Sequence, residues 1–157
     1  MKTEIFIAAT LGASLAMLSQ ANAGEKELSK NQVPKAVIET FEKAHPNATS
    51  VEFEEETFEG KAAYEVEYEE NDKEYEFLYS PDGSLVQREE EIDAKMLPEP
   101  IVQAITKAYP KAAIKEAEKM MKPDGTLTAY EVEIEEAGKE IELELDLGGK
   151  ILKAEQD

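Results

Sequence analysis

One strand-like pentapeptide occurs twice in this chain of 157 residues. Residues 64 to 68 read YEVEY, and residues 130 to 134 read YEVEI, 66 positions later. The correspondence continues toward the amino terminus, where Val37 corresponds to Ile101 at an offset of 64. A self-similarity that covers nearly all of the chain after residue 23 predicts a tandem duplication.

Each predicted repeat begins with an apolar stripe at helical spacing. In the first repeat Val33, Val37 and Phe41 are four residues apart, and Pro46 ends the run. Four stretches of alternating apolar and polar residues follow, separated by turn-forming glycine, asparagine and aspartate. We therefore expect an α+β fold of two tandem repeats, each one helix packed on a four-stranded antiparallel sheet, over residues 24–92 and 93–157.

The alternation assigns the strand side chains to two faces. Because successive side chains on a strand point to opposite sides, Tyr64, Val66 and Phe77 should lie under the helix. The glutamates between them should then form an open, solvated acidic face. No residue is assigned a catalytic or cofactor-binding role, and no metal site is assigned. The candidate metal ligands on the acidic face are Glu65, Glu67, Glu74, Glu76, Glu131, Glu133, Glu140 and Glu142.

The strand near Ile114 does not follow this simple alternation. Glu116 and Glu118 fall in phase with the apolar Ile114. A β-bulge between them would reverse the phase, so the sequence leaves the register of this strand open.

Net charge limits the partners of the protein. The chain has 36 acidic against 17 Lys and Arg residues, a formal charge of −19. A field of this sign disfavours nucleic acid and anionic lipid and attracts divalent cations or basic peptides. The alternative is that the acidity only keeps the protein soluble.

The first 23 residues have the features of a secretory signal peptide. An apolar stretch from Ile5 to Leu18 is followed by Ala21-Asn22-Ala23, a small-x-small pattern for signal peptidase. We expect a mature chain that begins at Gly24, is periplasmic or secreted, and has no transmembrane segment. An uncleaved membrane anchor is the alternative, although the stretch is shorter than the roughly 20 residues that span a bilayer.

The catalytic inventory argues against an enzyme. The chain has no cysteine and one histidine, so neither a Cys-His pair nor a multi-histidine metal site can form. His45 precedes the proline that ends the first predicted helix, where a role at the helix end is expected. No cofactor is expected.

The order of these elements resembles the PepSY and PepSY-like domains, which are related in shape to beta-lactamase inhibitor proteins. The resemblance covers residues 28–157 and rests on the proline-bounded helix, the Tyr-x-Val-x-Tyr strand at residues 64–68, and the turn at Gly83 before Leu85-Val86. It implies a non-catalytic exported module that binds a protein of the cell envelope, as an inhibitor or regulator of a peptidase or other hydrolase. The alternative is low-affinity binding of calcium or a cationic peptide by the acidic face.

The sequence departs from such inhibitors in one respect. The chain has no tryptophan, and most Tyr and Phe residues fall in the phase of the helix-covered face. Aromatic residues often anchor protein interfaces, so the open face is expected to lack those anchors.

Overall fold

The computed structural model describes residues 26–156, and the predicted signal peptide at residues 1–23 lies outside them. Within this part the chain forms nine strands, two ten-residue α-helices and two 3-10 helices of three residues each, Lys30–Gln32 and Ala94–Met96. The elements in chain order are β1 (Lys26–Glu27), α1 (Lys35–Ala44), β2 (Thr49–Phe58), β3 (Lys61–Glu70), β4 (Lys73–Tyr79), β5 (Leu85–Glu91), α2 (Glu99–Ala108), β6 (Ala113–Met121), β7 (Leu127–Glu136), β8 (Lys139–Asp146) and β9 (Ile151–Gln156). Neither of these two α-helices is long and apolar enough to cross a membrane.

All of these strands belong to one sheet. The strand order follows the chain from β1 to β9, and each neighbouring pair is antiparallel. Strands β5 and β6 pair from Arg88 opposite Met121 to Glu91 opposite Glu118. The predicted α+β fold of two tandem repeats, each a helix on its own four-stranded sheet, is therefore wrong. The protein is mostly β, with two short helices on a single sheet.

The physical reason is the edge of each predicted sheet. A four-stranded sheet that ended at β5 would expose a row of unpaired backbone N–H and C=O groups, and a second sheet that began at β6 would expose another. Pairing β5 with β6 satisfies both rows, because main-chain groups pair whatever the side chains are. The alternation of side chains assigns faces but does not show which edges meet.

Both helices pack on the same face of the sheet. The stripe of α1 buries Val37 and Phe41, and the stripe of α2 buries Ile101 and Ile105. The strand residues beneath α1 include Val66, Tyr68, Phe77 and Tyr79, and those beneath α2 include Tyr130, Val132, Ile134, Leu143 and Leu145. The predicted assignment of alternate strand residues to a helix-covered face is confirmed.

The turn between β4 and β5 contacts α1 closely. Gly83 has φ +83°, and a Cβ atom built on it would lie 2.5 Å from the carbonyl oxygen of Ala36. Gly125 has almost the same backbone angle, φ +85°, but a Cβ there would meet no atom within 4 Å. Substitution at Gly125 therefore reports backbone strain alone, whereas substitution at Gly83 reports the same strain together with steric overlap with α1.

We expect Gly83→Ala to lower the free energy of unfolding by about 2 kcal/mol more than Gly125→Ala. Both substitutions place alanine in a left-handed conformation, but only the first also forces the turn away from α1. Urea denaturation of the two variants measures the difference. Equal losses would mean that the turn does not rest on the helix.

Candidate functional site

The face of the sheet opposite the helices is lined with carboxylates. Glutamates stand directly opposite one another on neighbouring strands, as in the pairs Glu67–Glu76 and Glu133–Glu142. The strands place them there because each lies one residue away from a buried apolar side chain such as Val66 or Val132. The acidic face predicted from the alternation is therefore present.

This face is concave and encloses a groove of about 440 Å³, which we call the acidic groove. Side chains from β2 through β9 line it, and 13 of the 18 lining residues are glutamates. Among these described lining residues Lys153 is the one basic side chain, and its Nζ atom lies 3.2 Å from Glu142 Oε1. The lining of the groove therefore has a strong excess of acidic over basic side chains.

The structure brings most of the predicted candidates together. Six of the eight line the acidic groove, namely Glu65, Glu67, Glu76, Glu131, Glu133 and Glu142. The other two, Glu74 and Glu140, are on the same strands but not among the groove-lining residues, and Glu140 is exposed.

The centre of the groove contains three carboxyl groups from three adjacent strands. Glu76 of β4, Glu89 of β5 and Glu118 of β6 each place one carboxylate oxygen within 4.8 Å of the other two. Glu89 is 6% exposed and Glu118 is 4% exposed. We call these three residues the central triad.

Two oxygens of the central triad have no hydrogen-bond partner among the described residues. They are Glu89 Oε2 and Glu118 Oε1, and both are buried. The other oxygen of Glu89 accepts a hydrogen bond of 2.7 Å from the Gln87 side-chain amide. A buried carboxylate oxygen without a partner is unfavourable. Binding of a proton or a cation at the centre of the groove would therefore be favourable.

The pKa values of the groove carboxyls reflect this environment. Burial, followed by the charge of neighbouring glutamates, raises the pKa of Glu76 to about 8 and shifts those of Glu89 and Glu118 upward as well. A hydrogen bond with Glu74, together with burial, raises the pKa of Glu67 to about 7. The sequence interpretation of an open, solvated acidic face is therefore incorrect for the middle of the groove.

Glu89 and Glu118 were missed as candidate ligands because β-bulges reverse the alternation. In the β4–β5 ladder Leu85 pairs with Tyr79, and Gln87 pairs with the neighbouring Leu78. β5 therefore has one extra residue at this point, and Glu89 lies on the face opposite Leu85. In β6 the pairing skips from Ile114 to Glu116, which places Glu116 and Glu118 in the groove. The irregularity suspected near Ile114 is confirmed, whereas the one in β5 has no clear sequence signal.

His45 lies on the other side of the sheet. Its backbone N–H donates to the carbonyl oxygen of Phe41 at the end of α1, and its ring packs 5.4 Å from that of Phe41. A cavity of about 920 Å³ borders it, lined by a mixture of apolar and charged residues. The predicted position at the helix end is confirmed, and His45 is remote from the central triad.

Two protein families match the chain. Residues 62–153 match the family described as "Putative beta-lactamase-inhibitor-like, PepSY-like", and residues 34–82 match the PepSY family, described as "Peptidase propeptide and YPEB domain". The first match covers more than half of the chain. A search of curated proteins found no match.

Solved structures share the fold. A BLIP-like protein from Bacteroides fragilis is 21% identical over 79% of this chain and 86% of its own, with a TM-score of 0.52. A structure from Bacteroides eggerthii described as "putative periplasmic proteins" is 12% identical over 79% and 88%, with a TM-score of 0.59. A DUF2874 family protein from Bacteroides ovatus is 16% identical over 79% and 87%, with a TM-score of 0.55. At these identities the similarity concerns the fold.

Proposed function

This chain belongs to the beta-lactamase-inhibitor-like, PepSY-like family, and we propose from this membership that it is an exported, non-catalytic protein that binds a partner in the cell envelope. The acidic groove is the proposed contact surface, and a basic segment of the partner is the proposed ligand. The name of the Bacteroides eggerthii structure and the predicted signal peptide at residues 1–23 support export.

The single observation that carries the proposed contact surface and its basic ligand is the composition of the acidic groove. Thirteen glutamates line it against one lysine. Arg and Lys side chains form charge-assisted hydrogen bonds with carboxylates, and a bound cation would also relieve the repulsion between facing glutamates. The groove volume, about 440 Å³, lies within the roughly 300–1,000 Å³ typical of ligand sites.

The family names support one class of partner. One matching family is named after beta-lactamase inhibitors and the other after peptidase propeptides. We therefore propose that the partner is a peptidase or another hydrolase with a basic patch, and that binding inhibits or regulates it. The concave face offers few aromatic anchors, Phe58 being one that lines the groove, so electrostatic attraction should contribute much of the specificity.

We expect the protein to bind a short Arg-Gly repeat peptide and not the matching Glu-Gly peptide. Affinity should fall steeply as salt is raised, because screening weakens attraction between exposed charges. Isothermal titration calorimetry in the presence of a metal chelator measures both peptides. Binding of the acidic peptide as tightly as the basic one, or no binding of the basic peptide at low salt, would contradict the proposal.

The matched variants are a groove substitution and one outside it. Glu133→Gln together with Glu144→Gln removes two charges from the lining of the groove, and we expect peptide affinity to fall about tenfold, a loss of about 1.4 kcal/mol. Glu39→Gln on α1 together with Glu99→Gln on α2 also removes two charges, from exposed residues on the opposite side of the sheet. If both changes weaken binding equally, the peptide responds only to net charge and the groove is not the site.

A further inference from the structure

We propose that the central triad, Glu76, Glu89 and Glu118, binds one calcium ion at the centre of the acidic groove. This inference goes beyond the proposed binding of a partner protein and does not depend on it. The metal would occupy the middle of the groove and leave the outer glutamates available.

The spacing of the carboxylates fits a calcium ion. Calcium–oxygen distances are about 2.3–2.6 Å, so two ligand oxygens on opposite sides of the ion lie roughly 4.6–5.2 Å apart. The three oxygens of the central triad all lie within 4.8 Å of one another. One ion can therefore contact all three with side-chain adjustments alone.

The chemistry of the ligands selects among metals. All three are carboxylate oxygens, which suit calcium, magnesium and manganese rather than zinc or copper. Magnesium demands near-octahedral geometry with metal–oxygen distances of about 2.0–2.1 Å, which three ligands fixed on paired strands meet less readily than the looser coordination of calcium. Calcium accepts irregular coordination, and Glu76 is the least buried of the three ligands, so water that reaches the groove can complete the shell beside it.

A second observation separates the central triad from an ordinary acidic patch. Glu89 and Glu118 are more than nine-tenths buried, and each has one buried oxygen with no hydrogen-bond partner in the described chain. Both oxygens belong to carboxyl groups of the central triad. Buried charges in proteins are normally paired or coordinate a metal.

Four basic residues of the surrounding strands have partners other than the central triad. The Arg88 guanidinium lies over the Phe77 ring on the helix-covered face, 5.3 Å from its centroid. Lys73 forms an ion pair with Glu90 at 2.7 Å, and Lys115 forms one with Glu135 at 2.6 Å. Lys153, the basic residue of the groove lining, contacts Glu142 and Glu155. None of these four described cations is paired with the central triad.

The strands also hold the three ligands in place. Glu76 and Glu89 are directly opposite one another in the β4–β5 ladder, and β6 is hydrogen-bonded to β5. Ligands on paired strands need little reorganisation to bind, which favours a defined site over the diffuse attraction of exposed glutamates.

The test is calorimetric titration of calcium chloride into chelator-treated protein, without any peptide, together with thermal melts in calcium chloride and in sodium chloride at matched ionic strength. We expect one site per chain, weaker binding of magnesium, and a higher Tm in calcium than in sodium at equal ionic strength. Equal melting temperatures in both salts with no heat of binding would overturn the proposal, and would leave protons as the groups that neutralise the triad.

Variants locate the ion. Glu89→Gln and Glu118→Gln should each weaken calcium binding at least tenfold, whereas Glu140→Gln, an exposed residue on the same face, should change it less than twofold. Glu76→Gln is a further variant at the half-buried ligand, and circular dichroism checks that each variant is folded. Weakening by Glu140→Gln as large as that by Glu89→Gln would show a diffuse charge effect and overturn the site. Because peptide binding is measured in chelator and calcium binding without peptide, each proposal can fail separately.

Discussion

We expect the metal-free protein to become less stable as the pH rises from about 5 to about 8, with a loss on the order of 5 kcal/mol in the free energy of unfolding. Most proteins lose stability in acid, so this dependence has the opposite sign. Its cause is the set of groove carboxyls whose pKa values are raised in the folded state.

Three groups outside the central triad illustrate the effect. Burial, followed by the charges of Glu76, Glu56, Glu89 and Glu54, raises the pKa of Glu65 to about 11. Burial, followed by the charges of Glu89, Glu142 and Glu76, raises the pKa of Glu131 to about 10 even though Lys153 opposes the shift. The pKa of Glu67 rises to about 7 through its hydrogen bond with Glu74.

The direction of this change in stability follows from whether the folded or the unfolded state releases its protons first. In the unfolded chain these carboxyls ionise near 4.5, whereas in the folded protein they keep their protons to a higher pH. Between those values the folded state holds more protons than the unfolded state, so unfolding releases protons and a rise in pH favours it. The loss begins above about 4.5 and continues through 7 for Glu67 and beyond 8 for Glu65 and Glu131.

Thermal melts in chelator at constant ionic strength, at pH near 5, 6.5 and 8, measure this dependence, and we expect Tm to fall by roughly 10–20 °C across the range. Glu65→Gln should raise Tm at the highest pH and change it little at the lowest, because the amide cannot ionise. Glu140→Gln, at an exposed position, is the control. A Tm that rises steadily from pH 5 to 8 would show that the groove carboxyls ionise freely in the folded protein.

Replacing Phe77 with alanine is the second change with a large expected effect. We expect it to lower the free energy of unfolding by about 3–5 kcal/mol. Phe77 is 6% exposed, and its ring packs edge-on against Tyr68 at 5.3 Å and His45 at 5.1 Å, with Arg88 over its face. Truncation would leave a cavity beneath α1 and remove these aromatic contacts.

The matched control is Phe58→Ala, which removes the same group from a half-buried position at the end of β2. We expect it to cost about 1 kcal/mol, since less apolar surface leaves water there in the folded state. Guanidinium denaturation gives both values. Similar losses for the two variants would mean that Phe77 does not belong to the main core, and that the two faces of the first four strands are assigned wrongly.

The local periodicity of the sequence was sufficient to predict the helices, the strands and the face on which each strand side chain lies. The four-residue spacing predicted the stripe that buries Val37 and Phe41, and alternation predicted that Val66 and Phe77 lie beneath it. The same alternation placed six of the eight candidate glutamates in the groove. These features follow from the sequence because helix and strand periods are properties of neighbouring residues along one chain.

The tertiary structure decided the architecture and the centre of the site. Pairing of β5 with β6 made one sheet where two were expected, and it depends on main-chain groups that are the same in every sequence. Bulges in β5 and β6 then turned Glu89 and Glu118 into the groove, against the phase that Leu85 and Ile114 establish. A single inserted residue reverses the face of all side chains after it, and whether a strand accommodates one is settled by the partner strands. The sequence therefore determined that one face would be acidic, whereas only the assembled, curved sheet brought three of its carboxylates together and buried two of them.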